Sequence, residues 1–216
     1  MSARKDNYEE VAVRKKAYSI GGSIAVIALV IIAALYFFSP GPDLDKYEFL
    51  KQPRITTMPD QKMLVVTAPG DPNVVGSKAF ELLFKTYFKI SGVPKNRKPA
   101  PRARWAGDYQ EKSTWTGYYG MPVPDGTVSL PPVETGPGYK VELTVWEYGD
   151  VAEILHIGSY AEEAPAIEKL HQFLKQQGYE IVGLHEEEYL KGPGMMFKGD
   201  PKKYYTIIRY RVRKHA

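Results

Sequence analysis

Residues 139–157 read YKVELTVWEYGDVAEILHI, and their periodicity decides the fold. Over 139–148 the side chains alternate, with Leu143 and Val145 on one face and Trp146 and Tyr148 on the other. A period of two is that of a half-buried strand. Gly149-Asp150 reads as a bulge or turn, and Val151 to Ile157 continues the strand. Downstream, Ile167, Leu170 and Leu174 recur at helical spacing, which predicts a helix over about 162–177 with Gly178 at its C-cap. Strands are predicted through Leu184–Leu190 and Tyr204–Val212, with a Gly192-Pro193-Gly194 turn between them.

The preceding half repeats this order with little residue-level similarity. Met63-Leu64-Val65-Val66 centres an extended stretch around Arg54–Ala68, which Pro69-Gly70-Asp71-Pro72 breaks. Val75, Ala79, Leu82, Leu83 and Ile90 predict an amphipathic helix over 74–90. Two short strands are expected around 104–111 and 114–121, then a Pro- and Gly-rich loop, 122–138. Strand, helix, strand, strand, read twice, predicts an α+β fold. Its halves, about 54–138 and 139–216, would share a mixed sheet with helices on one face and a groove on the other.

Upstream lies a different kind of segment. Ile20 to Phe38 is nineteen residues without a charge, enough to span a bilayer core of roughly 30 Å. The expected layout is a basic tail over 1–17, a transmembrane helix over 18–39 and a linker over 40–53. Arg4, Lys5, Arg14, Lys15 and Lys16 precede the run, whereas Lys46, Lys51 and Arg54 follow it among acids. Positive charge stays inside, so the N-terminus is expected in the cytoplasm and the domain on the extracytoplasmic side. A cleaved signal peptide fits less well, since the apolar run is long and no small-residue cleavage site follows it.

Composition narrows the chemistry. There is no cysteine, which excludes disulfides, thiol nucleophiles and thiolate metal sites. A net charge of +4 is mild, and no nucleic-acid partner is expected. No phosphate-binding or nucleophile-elbow motif is present, and no His, Asp and Glu stand at metal-ligand spacing, so neither cofactor nor metal is predicted. The basic loop 95–104 reads as solvated, with anionic lipid or an acidic partner as the alternative.

The second half also carries short motifs. His156-Ile157-Gly158-Ser159-Tyr160, then Glu187-Glu188-Tyr189-Leu190-Lys191-Gly192-Pro193, then Tyr205 to Val212 resemble the GyrI-like domain, the effector-binding fold of bacterial multidrug-responsive regulators. The resemblance covers about 140–212 by motif and 54–138 by element order alone. It implies a duplicated strand-helix-strand-strand fold whose groove binds bulky, often cationic, aromatic compounds against aromatic walls and a buried glutamate. A few relatives hydrolyse strained electrophiles. One eukaryotic branch shares the anchor-then-domain layout and acts in autophagy through a long tail. This chain ends at Ala216, four residues after the last strand, so that role is not expected here.

On this resemblance Glu187 takes the acidic position, with Tyr189 on the same strand face. Trp146, Tyr148, Trp115, Tyr119 and Tyr205 are the candidate aromatic walls. The plain alternatives are that Glu186-Glu187-Glu188 is a solvated acidic run and that the aromatics are packing residues. His156, Gly158 and Tyr160 form the family's turn, with His156 read as structural and His171 as surface. The expected function is reversible binding of an amphipathic or cationic small molecule. A non-catalytic subunit of a membrane complex is the first alternative, with small faces at Gly21, Gly22, Ser23, Ala25, Ala28, Ala33 and Ala34 packing on partner helices. Hydrolysis with Glu187 orienting water is the second alternative.

Overall fold

A computed structural model describes residues 43–94, 98–107, 111–193 and 199–215. The basic tail, the predicted membrane helix and the first linker residues lie outside this set. Among the described residues no helix is long and apolar enough to cross a membrane.

In chain order the elements are β1 (Arg54–Met58), β2 (Gln61–Pro69), α1 (Pro72–Tyr87), β3 (Arg102–Ala106), β4 (Thr116–Pro122), β5 (Lys140–Trp146), β6 (Gly149–Ile157), α2 (Ala164–Gln177), β7 (Tyr179–Ile181), β8 (His185–Lys191) and β9 (Tyr205–Lys214). Local chemistry sets the helix ends. The Asn73 backbone N–H donates to Asp71 Oδ1 at 2.8 Å, and Pro72 supplies a preset φ at the first turn of α1. Gly178 ends α2 in the left-handed region, φ 72° and ψ 38°, as the sequence predicts. Part of the expected linker is folded instead: Asp45–Lys51 is a 3-10 helix. Its Leu50 packs with Leu155 and Ile207, and burial of that side chain holds the segment down.

The strand order is β1-β6-β9-β8-β3-β4-β2-β5, with β7 added beside β9. It is a palindrome of the two halves: β6-β9-β8 answers β2-β4-β3, and each half's leading strand lies on the outer edge of the other half. Every pairing among the described strands is antiparallel, whereas the repeat reading predicted a mixed sheet. The crossed-over leading strands account for this. Arg54 to Met58 pair with Glu153 to Gly149, and Gln61 to Thr67 pair with Trp146 to Lys140 in the same register. The two stretches thus form one long ribbon, bent where Pro59-Asp60 faces Glu147-Tyr148. The Tyr148 N–H donates to Asp60 Oδ1 across the bend at 2.9 Å.

The two helices cover one face. Leu82, Leu83 and Tyr87 of α1 pack on Leu64, Val66, Tyr119 and Met121 of the sheet. Leu170 and Leu174 of α2 pack on Ala152, Ile154, Ile208 and Val212 of the sheet. The opposite face holds a smaller apolar group, Met63, Val65, Trp146, Tyr148 and Val151, and beside it a buried ion network.

Arg209 centres that network with its side chain 5% exposed. Its guanidinium reaches Glu153 (2.9 Å), Glu186 (2.7 Å) and Glu188 (3.2 Å). Arg104 pairs with Glu186 at 2.8 Å, Arg102 with Glu188 at 3.2 Å and Arg54 with Glu153 at 2.6 Å. Tyr148 donates to Glu186 at 3.0 Å. Burial pushes the Glu186 carboxyl up, but Arg209, Arg104 and Arg102 outweigh it and hold the group below its ordinary range. Removing one partner of such a network strands the others in low dielectric. Arg209→Met is therefore expected to cost about 3–5 kcal/mol, read as a fall in the urea midpoint. A loss below about 1 kcal/mol would show that the network is ornamental to stability.

Candidate functional site

The three consecutive glutamates divide by strand parity. Glu186 and Glu188 point to the arginine face, opposite Arg104 and Arg102 of β3. Glu187 points to the helix face, opposite Ala103, with Trp105 and His185 paired one step along. None of the three is solvated: the Glu186, Glu187 and Glu188 side chains are 3%, 12% and 13% exposed.

Around Glu187 the helix face supplies polar partners. Trp105 Nε1–H donates to Oε1 at 2.8 Å, His185 Nε2 lies 3.0 Å from the same oxygen, and the Tyr189 hydroxyl donates to Oε2 at 2.7 Å. Burial raises the Glu187 carboxyl, and the bonds from His185, Tyr189 and Trp105 more than offset it, so it stays ionised. Glu163, at the N-cap of α2, faces the same place. It is 6% exposed, its side chain makes no capping bond, and its Oε1 has no hydrogen-bond partner among the described residues. Burial first, and the Glu187 charge second, push its pKa up to about 9. A protonated carboxyl thus sits beside an ionised one.

Rings enclose this group. Trp115 and Trp105 lie 5.7 Å apart, Trp105 and Tyr119 5.4 Å, Tyr119 and Phe80 5.0 Å, and Phe80 and Tyr189 5.7 Å. Tyr160 continues the chain at 5.5 Å from Tyr189 and 5.4 Å from Tyr204. Burial and the Glu187 charge raise the phenols of Tyr160 and Tyr189, so both remain neutral donors.

The predicted wall residues therefore do not form one surface. Glu187, Tyr189, Tyr119 and Trp115 come together on the helix face. Trp146 and Tyr148 lie on the other face, where the Arg104 guanidinium stacks 4.2 Å from the Trp146 ring. There a cavity of about 200 Å³ is lined by Arg104, Glu147, Tyr148, Glu186, Arg209 and Arg211. Burial and Glu186 push the Tyr148 phenol up to about 12. Tyr205 packs with Leu50, Leu155 and Ile207, away from Glu187. The expected single groove opposite the helices is thus two sites, because Trp146 and Tyr148 share strand parity with Glu186 rather than with Glu187.

His156, Gly158 and Tyr160 lie at the end of β6 and just beyond it. His156 Nε2 lies 2.9 Å from the Ser159 carbonyl oxygen. Gly158 adopts φ 145°, and a Cβ there would come within 3.2 Å of the His156 ring. Sequence reading missed Trp105, Phe80, His185 and Glu163. The alternation Arg102-Ala103-Arg104-Trp105 signals one arginine face and one tryptophan face. Glu163 carries no local signal at all. No metal was expected from spacing, yet Glu163, His185 and Glu187 each offer a ligand atom, all within 4.8 Å of one another.

No protein-family description matches the chain, and no curated protein is similar to it. Solved structures are. An uncharacterized conserved protein from Listeria innocua aligns with a TM-score of 0.65 at 23% identity, over 79% of this chain and 97% of that one. A hydrolase from Listeria innocua aligns with a TM-score of 0.63 at 22% identity, over 78% and 97%. The EcmrR C-terminal domain aligns with a TM-score of 0.53 at 15% identity, over 76% and 98%. These likenesses show that the chain shares its fold with these proteins.

The carboxylate pair predicts a pH signature. Unfolded, Glu163 ionises near its ordinary 4.5; folded, it holds its proton to about 9. Its contribution to stability is fully present below the lower value and is lost as pH rises through the higher one. In metal-free buffer, Glu163→Gln should gain on the wild type between about pH 5.5 and about pH 8.5, measured as urea midpoints. A difference that stays constant across that span would rule the pairing out.

Proposed function

We propose that the domain binds an amphipathic, positively charged small molecule on its helix face, by aromatic enclosure around Glu187. One observation carries this reading: an ionised, nearly buried carboxylate within a continuous chain of rings, to which no arginine or lysine among the described residues is bonded. Such a group attracts a cation strongly, because low dielectric weakens screening and ring faces add about 0.5–2 kcal/mol each. Trp105, Tyr119, Phe80 and Tyr160 would supply the walls, and Tyr189 would hold the carboxylate in place. Binding without chemistry is the reading preferred. A second reading, hydrolysis, is favoured by one feature, the protonated Glu163 beside the ionised Glu187, which is the arrangement of an acid and base pair.

The test uses an aromatic quaternary ammonium probe and its neutral carbon isostere in thermal denaturation. The cation should raise the midpoint saturably, since a ligand specific for the folded state adds about 2.7 kcal/mol at 100 times its Kd. Glu187→Gln should remove most of that rise. Equal shifts from the neutral isostere, or a shift that survives Glu187→Gln, would end the reading. Turnover of an electrophilic substrate that Glu163→Gln abolishes would favour hydrolysis instead.

We further propose that Ile20–Phe38 tethers this domain to a membrane, with the domain on the extracytoplasmic side. The support is the uncharged run and its basic N-terminal flank alone. In intact cells or spheroplasts an added protease should degrade the domain while a cytoplasmic marker survives. Protection of the domain until the membrane is breached would invert the topology, and recovery in the soluble fraction would remove the tether.

A further inference from the structure

We infer that Glu163, His185 and Glu187 form a binding site for one divalent transition-metal ion of the zinc or manganese type. His185 Nε2 and Glu187 Oε1, hydrogen-bonded at 3.0 Å, stand at the separation of two adjacent donors that each lie about 2.1 Å from one six-coordinate ion. The third donor, a Glu163 oxygen, comes within 4.8 Å of both, and rotation of that side chain closes the remainder. Glu163 is the independent sign of a missing occupant. It is a nearly buried carboxylate at a helix N-cap that leaves the helix N–H groups alone and has an unpartnered oxygen. Most buried polar atoms have a hydrogen-bond partner, and among the described residues Glu163 Oε1 has none.

The surroundings are those of an oriented site. His185 Nδ1 lies 2.6 Å from the Tyr210 hydroxyl, which fixes the ring and leaves Nε2 facing the carboxylates. Trp105 and Tyr189 donate to Glu187 and fix its plane. Outer partners of this kind set ligand direction in metal sites. One imidazole and two carboxylates suit zinc, manganese or ferrous iron, and the imidazole disfavours calcium and magnesium. A divalent ion displaces the Glu163 proton and cancels the charge of both carboxylates, and three protein donors leave coordination positions free. The inference stands apart from the organic-cation reading, and the two occupants exclude each other because both take the Glu187 charge.

The test is calorimetric titration of the full chain, stripped with chelator, with Zn²⁺ and Mn²⁺, and with Mg²⁺ and Ca²⁺ for comparison. One ion per chain is expected, zinc the tighter. Glu163→Gln and His185→Gln should each weaken it by about 100-fold or more, beyond the 10- to 100-fold typical of outer partners. His171→Gln should leave it unchanged. Glu163→Gln keeps the side-chain volume, so its circular dichroism and urea midpoint show whether loss of binding is loss of fold. Saturating zinc should also abolish the thermal shift from the quaternary ammonium probe. No zinc or manganese heat, or zinc binding that survives Glu163→Gln and His185→Gln alike, would overturn the site. Zinc binding with no probe effect in any form would retain the metal site and end the organic-cation reading. A probe shift without zinc binding would do the reverse.

Discussion

The Arg209 guanidinium, held among Glu153, Glu186 and Glu188, fixes the register on which the rest of the domain depends. It joins β6, β8 and β9, and through Arg104 and Arg102 the same carboxylates reach β3 in the other half. Side-chain period in a strand is two, so a one-residue slip of β8 would exchange its faces. That slip would put Glu186 and Glu188 under the helices without arginines and would set Glu187 alone among them. Two uncompensated buried carboxylates cost several kcal/mol each. The network therefore selects the register that delivers Glu187, His185 and Tyr189 to the helix face, although none of those three belongs to it.

The palindromic strand order does the second part of the positioning. Each half alone would leave β3 or β8 as an edge with unpaired backbone groups. Pairing these two edges closes the sheet and makes a seam between the halves, with Ala103 opposite Glu187 and Trp105 opposite His185. The bent ribbon of 54–67 with 140–153 clasps the outer side of both halves, so the seam does not rely on β3 and β8 alone. Phe80 reaches the site from α1, and Glu163 reaches it from the N-cap of α2. A site built at such a seam takes residues far apart in sequence, and its shape follows how the halves lie together.

What was legible in the sequence follows the range of the interactions. Both helices, the Gly178 cap and six of the nine strands declare themselves through local periodicity and turn chemistry, within a few residues of their ends. The bend at Pro59-Asp60 was not separable from one long extended stretch, because β1 and β2 are one strand in register and differ only in their neighbours. Glu187 and Tyr189 were placed on a common face correctly by parity. Parity along 139–148 also put Trp146 and Tyr148 on one face, where both pack in the same apolar group. What parity within one strand cannot say is which face of a neighbouring strand points the same way, since that depends on register across the sheet. Glu163 was invisible for the same reason: it is 24 residues from Glu187, and only the packing of α2 on the sheet brings them together. The resemblance to the GyrI-like fold supplied the acidic position, but not its partners Trp105 and His185.

The two faces of β8 solve the same electrostatic problem in opposite ways. On one, the carboxylates meet guanidinium groups, and Glu186 is ionised because cations surround it. On the other, Glu187 is held ionised by His185, Tyr189 and Trp105, and burial first, with the Glu187 charge second, makes the nearby Glu163 keep a proton. Hydrogen bonds from a tryptophan and a tyrosine disperse a negative charge but do not cancel it. The arginine face pairs its carboxylates with guanidinium groups, whereas on the helix face Glu187 has His185 beside it and, among the described residues, no lysine or arginine bonded to it, next to a carboxyl whose proton is exchangeable. Low dielectric makes that imbalance more expensive than it would be in water. A protein that conserves this arrangement through its own folding gains nothing from it in stability. An occupant that brings positive charge to the seam gives the imbalance its physical reason.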